Sequence, residues 1–145
     1  MGITPLAAQT IPDDSMMTPI RAIADFMVTL DDARLKDVFI AEPVIVENFA
    51  PYIFRGPTGF AQWRQGFHGH ASDGSLSGLK VAFGPPQDFS RSGDTVYFVL
   101  PTIWTGQTGG KPFEEQGGWS FVLERQGEGW RVACYAWAVT ALRLI

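Results

Sequence analysis

The sequence predicts an α+β domain, and three observations lead there. Apolar residues in the first forty positions recur at helical three-and-four spacing, the period changes at a β-branched run beginning at Val44, and the second half is a series of apolar strands separated by glycines. The element order, helix, helix, strand, strand, helix and then four strands, differs from the alternating strands and helices of a parallel sheet.

The first helix is expected from Thr18-Pro19, where threonine can cap and proline is pre-shaped for the first turn, to about Leu30. Ile20, Ile23, Ala24, Met27 and Leu30 share one face of it. Asp31 and Asp32 can cap a shorter second helix carrying Leu35, Val38 and Phe39, which Pro43 stops. Val44–Phe49 reads as a strand, Ala50-Pro51 as a turn, and Tyr52–Arg55 as a short partner strand. Phe60, Trp63 and Phe67 then mark a third helix expected to end between Gly66 and Gly69. Four antiparallel strands follow: Leu79–Phe83, Thr95–Thr105, Trp119–Arg125 and Trp130–Leu142. Glycine-rich joints are expected at Gly106–Pro112, at Gly117-Gly118 and, as a tight hairpin, at Gly127–Gly129. Residues 1–17, with two prolines and no clear period, are expected to form a flexible arm, and residues 18–145 one domain.

The 145 residues match a single domain, and a content of 46% hydrophobic and 18% charged residues excludes a disordered or coiled-coil chain. Eleven Lys and Arg against fifteen Asp and Glu, with no basic run, argue against nucleic-acid binding. Cys134 stands alone, so no internal disulfide forms and the cytoplasm is the default compartment. No apolar run is long enough to span a bilayer, and the N-terminus lacks the basic and apolar regions of a secretory signal.

Three passages carry a family likeness: Val38–Asn48 from helix to strand, the run from Arg55-Gly56 to Trp63, and the closing hairpin Phe121–Arg125 with Gly129–Val132. In order and spacing they resemble the nuclear transport factor 2-like superfamily, in its SnoaL-like and ketosteroid isomerase-like branch, over residues 18–142. The resemblance implies a cone-shaped α+β barrel: a curved antiparallel sheet wrapped around about three helices of the N-terminal half, open at one end on an apolar pocket, and commonly a homodimer. The strand Arg131–Val139 is apolar on both faces under strict alternation, Val132 and Cys134 on one and Tyr135 and Trp137 on the other. One face is expected against helices and the other against a second copy or the N-terminal arm.

Family members of the ketosteroid isomerase type place a carboxylate base on the first strand, and the matching position here is Asn48. An amide cannot serve as that base; it can hydrogen-bond a carbonyl or hydroxyl, or simply satisfy the turn before Pro51. Glu47 is expected on the opposite strand face, solvated or paired with Arg55. His68 and His70 are candidates for moving a proton at the pocket, against the plainer reading of imidazoles near a helix C-terminus. Two residues apart on a helix they do not share a face, and no third ligand completes a metal site. Trp104, Trp119, Tyr135 and Trp137 are expected to form an aromatic pocket wall, with Tyr52, Trp63 and Tyr97 as further ligand contacts. Core packing is the competing role for each ring. Tyr97 and Trp104 fall on opposite faces of their strand. No Rossmann fingerprint, phosphate loop or serine elbow is present, so no cofactor is implied.

Two functions follow from these residues and the resemblance. One is a cofactor-independent isomerase, cyclase, dehydratase or related lyase acting on a small hydrophobic ring compound without an intact ketosteroid isomerase base. The other is a non-catalytic ligand-binding or dimeric assembly domain.

Overall fold

The computed structural model describes residues 12–145. Most of the expected arm lies outside the described residues, and within them its last four residues, 14–17, are already helical. Helix α1 spans Asp14–Thr29, starting four residues before the expected point, because Asp13 accepts the Met16 N–H at 3.1 Å as N-cap. Met16 supplies an apolar anchor one turn ahead of Ile20, and Pro19 is buried within the helix. Leu30 closes α1 in the left-handed conformation, donating its N–H to Phe26 O.

The second helix is only a 3-10 turn, Asp32–Leu35, capped by Asp31. Val38 and Phe39, expected on its apolar face, enter the core differently, for Phe39 opens strand β1 (Phe39–Val46). Pro43 lies inside that strand. It is tolerated because the ladder to the neighbouring strand is irregular between Phe39 and Val44, where a missing N–H costs no regular bond.

After β2 (Ile53–Phe54), helix α2 runs from Gly59 to Asp73, past both glycines expected to end it. A Cβ at Gly66 would lie 3.1 Å from the Phe49 ring, so that glycine serves close packing, not termination. The remaining strands are β3 (Leu76–Phe83), β4 (Gln87–Ser92), β5 (Thr95–Thr108), β6 (Lys111–Gln126) and β7 (Gly129–Leu144). β4 is largely polar and exposed, which hid it from a reading based on apolar periodicity.

One curved, unclosed sheet of seven strands results, in the order β2-β1-β7-β6-β5-β3, with β4 also on β5. It is mixed and not wholly antiparallel as expected, for β1 lies parallel to β7 while the other pairs are antiparallel; two α-helices and a 3-10 turn stand in place of the three helices expected. The core lies between the concave face and the helices, built on Ile20, Ile23 and Phe26 of α1, Trp63 and Phe67 of α2, and inward rings of β5–β7.

Two bulges in the β6–β7 ladder shape the cone. Between Val122 and Leu123 the register skips Ala133, so Val132 and Tyr135, opposite under strict alternation, are both fully buried. The other bulge adjoins Gly117, which lies within β6 and not at a joint. A Cβ there would approach Ala138 O to 2.3 Å and the Trp137 ring to 2.7 Å, so only glycine lets that indole lie against β6.

Candidate active site

Glu47 follows β1 immediately and shares the inward direction of Ile45, two residues before it. Its backbone N–H donates to Tyr52 O at 3.0 Å, closing the turn to β2 and fixing its entry into the core. It is 5% exposed, and neither solvated nor paired with Arg55 as the sequence led us to expect. The Trp63 Nε1–H donates to Glu47 Oε2 at 3.0 Å, and the Tyr135 hydroxyl donates to the same oxygen. The Trp63 and Tyr135 rings meet edge to face at 5.9 Å, so each donor is held by the other's ring. Oε1 has no protein partner among the described hydrogen bonds.

Among the described residues no cation contacts this carboxylate. Burial pushes its pKa up to about 7, against the pull of the Tyr135 and Trp63 donors, and the negative charge of Glu115 adds to the rise. The Tyr135 hydroxyl is driven well above its ordinary value, first by burial and then by the adjacent Glu47, so it remains a donor.

Glu47 borders a cavity of about 90 Å³. Trp104, Trp119 and Trp137 form one wall, while Met27, Phe67 and Leu79 contribute aliphatic and aromatic surface. Its other polar lining groups are Asn48, His70 and Glu115. Glu115, opposite Trp104 in the β5–β6 ladder, accepts the Trp137 Nε1–H at 3.0 Å, and burial raises its pKa against that bond. The His70 ring stacks on Phe49 at 4.8 Å, and burial lowers its pKa against the opposing charge of Asp73, favouring the neutral imidazole at pH 7. The site thus combines two carboxyls of raised proton affinity, a neutral imidazole and an amide on apolar walls.

The residues singled out from the sequence divide into three groups. Asn48, His70, Trp104, Trp119 and Trp137 line the cavity. Trp63 and Tyr135 are buried behind it, holding Glu47. His68, Tyr52 and Tyr97 lie elsewhere: His68 Nε2 is 2.7 Å from Asp32 Oδ1 on the outside of α2, and Tyr52 and Tyr97 are exposed. The separation of His68 from His70 follows from their spacing of two on a helix. Glu47 was expected on the opposite strand face, and Glu115 was not singled out from the sequence. The signal for Glu47 was its alternation with buried Ile45; the assumption that Asn48 faced inward concealed it. Cys134 is a half-buried thiol pushed up by burial. Among the described residues there is no cluster suited to a metal, and no helix is long and apolar enough to cross a membrane.

No family model and no curated protein matches this sequence. Solved structures do match it. The hexachlorocyclohexane dehydrochlorinase LinA-type3 of Novosphingobium barchaimii superposes with a TM-score of 0.74 at 10% identity, over 90% of this chain and 88% of that one. A nuclear transport factor 2-like superfamily protein of Salmonella enterica gives 0.69 at 18% identity, over 85% and 87%. This is the nuclear transport factor 2-like fold. A third structure with this fold, from Shewanella frigidimarina and named as a candidate ketosteroid isomerase, gives 0.67 at 17% identity, over 87% and 96%. Identities this low carry the fold alone.

Proposed function

We propose that this protein is a cofactor-independent acid–base catalyst of the isomerase or lyase type, acting on a small, largely apolar molecule held in the cone. Glu47 carries the reading, as a carboxyl beside an apolar cavity with its pKa at about 7 and no counter-cation among the described residues. A general base works best with a pKa near the operating pH, where it is half deprotonated yet still basic. Trp63 and Tyr135 fix Oε2, which leaves Oε1 to take or return a proton. His70 is a second proton carrier on the same wall, and Asn48 and Glu115 are hydrogen-bonding groups for the substrate. The dehydrochlorinase and the candidate isomerase with this fold support small-molecule chemistry by analogy.

The volume limits the substrate. About 90 Å³ is less than the roughly 150 Å³ of a cavity that holds benzene, so a ring compound leaves part of itself at the rim, where Asn48 is exposed. The test is proton exchange at the carbon α to the carbonyl of cyclopentanone in D₂O, followed by proton NMR. The wild-type protein should accelerate exchange, and Glu47→Gln should lower that acceleration about a hundredfold or more. Acceleration that survives in Glu47→Gln rules out Glu47 as the base.

A second copy as partner rests on a separate observation. Tyr97 and Ile103 of β5 leave large apolar side chains exposed on the face of the sheet turned away from the core. We propose that the sheet is covered in a homodimer; sedimentation giving a monomer at all concentrations would exclude it.

A further inference from the structure

Strand β7 continues past the cavity, and a bulge decides which way its end faces. Trp137 lines the cavity opposite Trp119 in the ladder, and two residues on, Val139 pairs with Gly117 on the same face. Under strict alternation Leu142 and Leu144 would then turn to the convex side of the sheet. The register shift between Gln116 and Gly117 adds one residue to β7, Thr140, and reverses them. Leu142 therefore lies directly opposite Glu115 and Leu144 directly opposite Phe113, and both partners line the cavity. The ion pair of Arg143 with Glu114, at 3.0 Å, takes the other face of the same stretch, as this register requires.

Trp137, Val139, Leu142 and Leu144 thus form one apolar row that leaves the cavity along β7. It passes from closed to open: Trp137 is 8% exposed, Val139 half-buried, Leu142 63% and Leu144 62% exposed. Single exposed leucines are ordinary on a protein surface. Two in line with a cavity wall, turned toward it by a bulge, are a placement, and bulges beside sites re-aim side chains in this way. The cavity itself, at about 90 Å³, holds less than a benzene-sized ring, so the remainder of a larger substrate lies outside it. Along β7 that remainder meets hydrocarbon, over roughly 7 Å between the two leucines at about 3.3 Å per residue.

We propose that this row is a binding subsite for an alkyl tail, so that the substrate is elongated, with a compact reacting head in the cavity and an unbranched hydrocarbon chain along Val139, Leu142 and Leu144. The proposal rests on the catalytic reading above and deepens it by naming the substrate class. A tail laid there removes its own surface and that of both leucines from water, so affinity rises with chain length as far as Leu144.

The probes are cyclopentanone and 2-pentylcyclopentanone, which share a head and differ in the tail. At about twofold per half-buried methylene, the wild type should bind the pentyl compound about thirtyfold more tightly in NMR titration. In the double variant Leu142→Ser/Leu144→Ser this ratio should fall below about fivefold. Ile103→Ser, which removes an exposed apolar side chain from the convex face, should leave it unchanged. Both leucines are exposed near the end of the last strand, and a ratio of two ligands on one protein does not depend on the folded fraction. In the wild type, the leucine methyl resonances that disappear in the double variant should show nuclear Overhauser contacts to the pentyl chain. A wild-type ratio near one, or a high ratio that survives in the double variant, overturns the proposal and leaves the Glu47 reading standing. Loss of a dimer in the double variant but not in Ile103→Ser, with the ratio unmoved, assigns the leucines to a second copy and overturns it as well. A tail-dependent ratio together with undiminished exchange in Glu47→Gln overturns the catalytic reading and leaves the tail subsite.

Discussion

Trp63 and Arg64 are neighbours on α2, yet they reach carboxyls in opposite circumstances. Arg64 approaches Asp32 at 3.5 Å, joined there by His68 at 2.7 Å, and the Asp32 side chain is 51% exposed. Trp63 donates to Glu47, which is nearly sealed from solvent and has neutral partners only. Asp32 has the Arg64 cation beside it, but water screens the two charges and little energy depends on the pair. Glu47 lacks a counter-charge where ionisation is expensive, so its proton affinity moves toward neutral pH. Desolvation, more than closeness to a charged partner, makes a chemical group on this scaffold.

The largest expected effect is at Trp63. Replacing it with alanine removes a fully buried ring packed against Phe26, Phe39, Phe60 and Tyr135. Such losses cost about 3–5 kcal/mol, which should lower Tm by about 10 °C in thermal unfolding. Arg64→Ala should stay within about 1 kcal/mol of wild type. Equal losses from the two substitutions would break the comparison.

Next comes the pH dependence of stability. Glu47 has a folded pKa of about 7 against an ordinary value of 4.5, so between those values the folded protein holds a proton that the unfolded chain has released. Its contribution is fully present below pH 4.5, falls as pH rises toward 7, and is lost above that. The difference corresponds to at most about 3 kcal/mol. Glu47→Gln keeps an acceptor for Trp63 and Tyr135 without the charge, so it should exceed wild type in stability at pH 9 by up to that amount and converge with it near pH 4. Urea unfolding across this range measures the gap; a gap independent of pH would mean that Glu47 ionises as an exposed carboxyl does.

Tyr135→Phe probes the same group from the donor side. Its hydroxyl favours the charged carboxylate, so its loss should raise the Glu47 pKa further, by about one unit, in carbon-13 NMR titration of the side-chain carboxyl. A fall would assign the hydroxyl the opposite role.

Much of this architecture was legible in the sequence, because helical spacing in α1 and α2 and the long apolar strands are local signals. The element order and three passages led to the cone, and the aromatic excess marked Trp104, Trp119 and Trp137. What was hidden depended on departures from strict period. Bulges in β7 place Val132 and Tyr135 together, and the parallel neighbour of β1 comes from the far end of the chain. Glu47 illustrates the same limit. Its partners lie 16 and 88 residues away in sequence, and only the folded chain shows that a glutamate beside a turn is enclosed by an indole and a phenol.

The smallest expected effect closes the comparison from the exposed side. Asp32→Asn removes the charge that Arg64 and His68 meet but leaves a polar side chain, and the Asp31 N-cap of the 3-10 turn is untouched. Half-exposed pairs of this kind are worth about 0–1 kcal/mol. Salt shortens the range of their attraction, to about 10 Å at 0.1 M and about 3 Å at 1 M. The stability difference between Asp32→Asn and wild type in urea unfolding should therefore be under about 1 kcal/mol in dilute buffer and shrink as sodium chloride is added. The excess stability of Glu47→Gln at pH 9 should persist in salt, because ions do not enter the packed site to screen a desolvated charge. A salt-sensitive Glu47 difference beside a salt-insensitive Asp32 difference would reverse the assignment of which carboxyl the fold has removed from water.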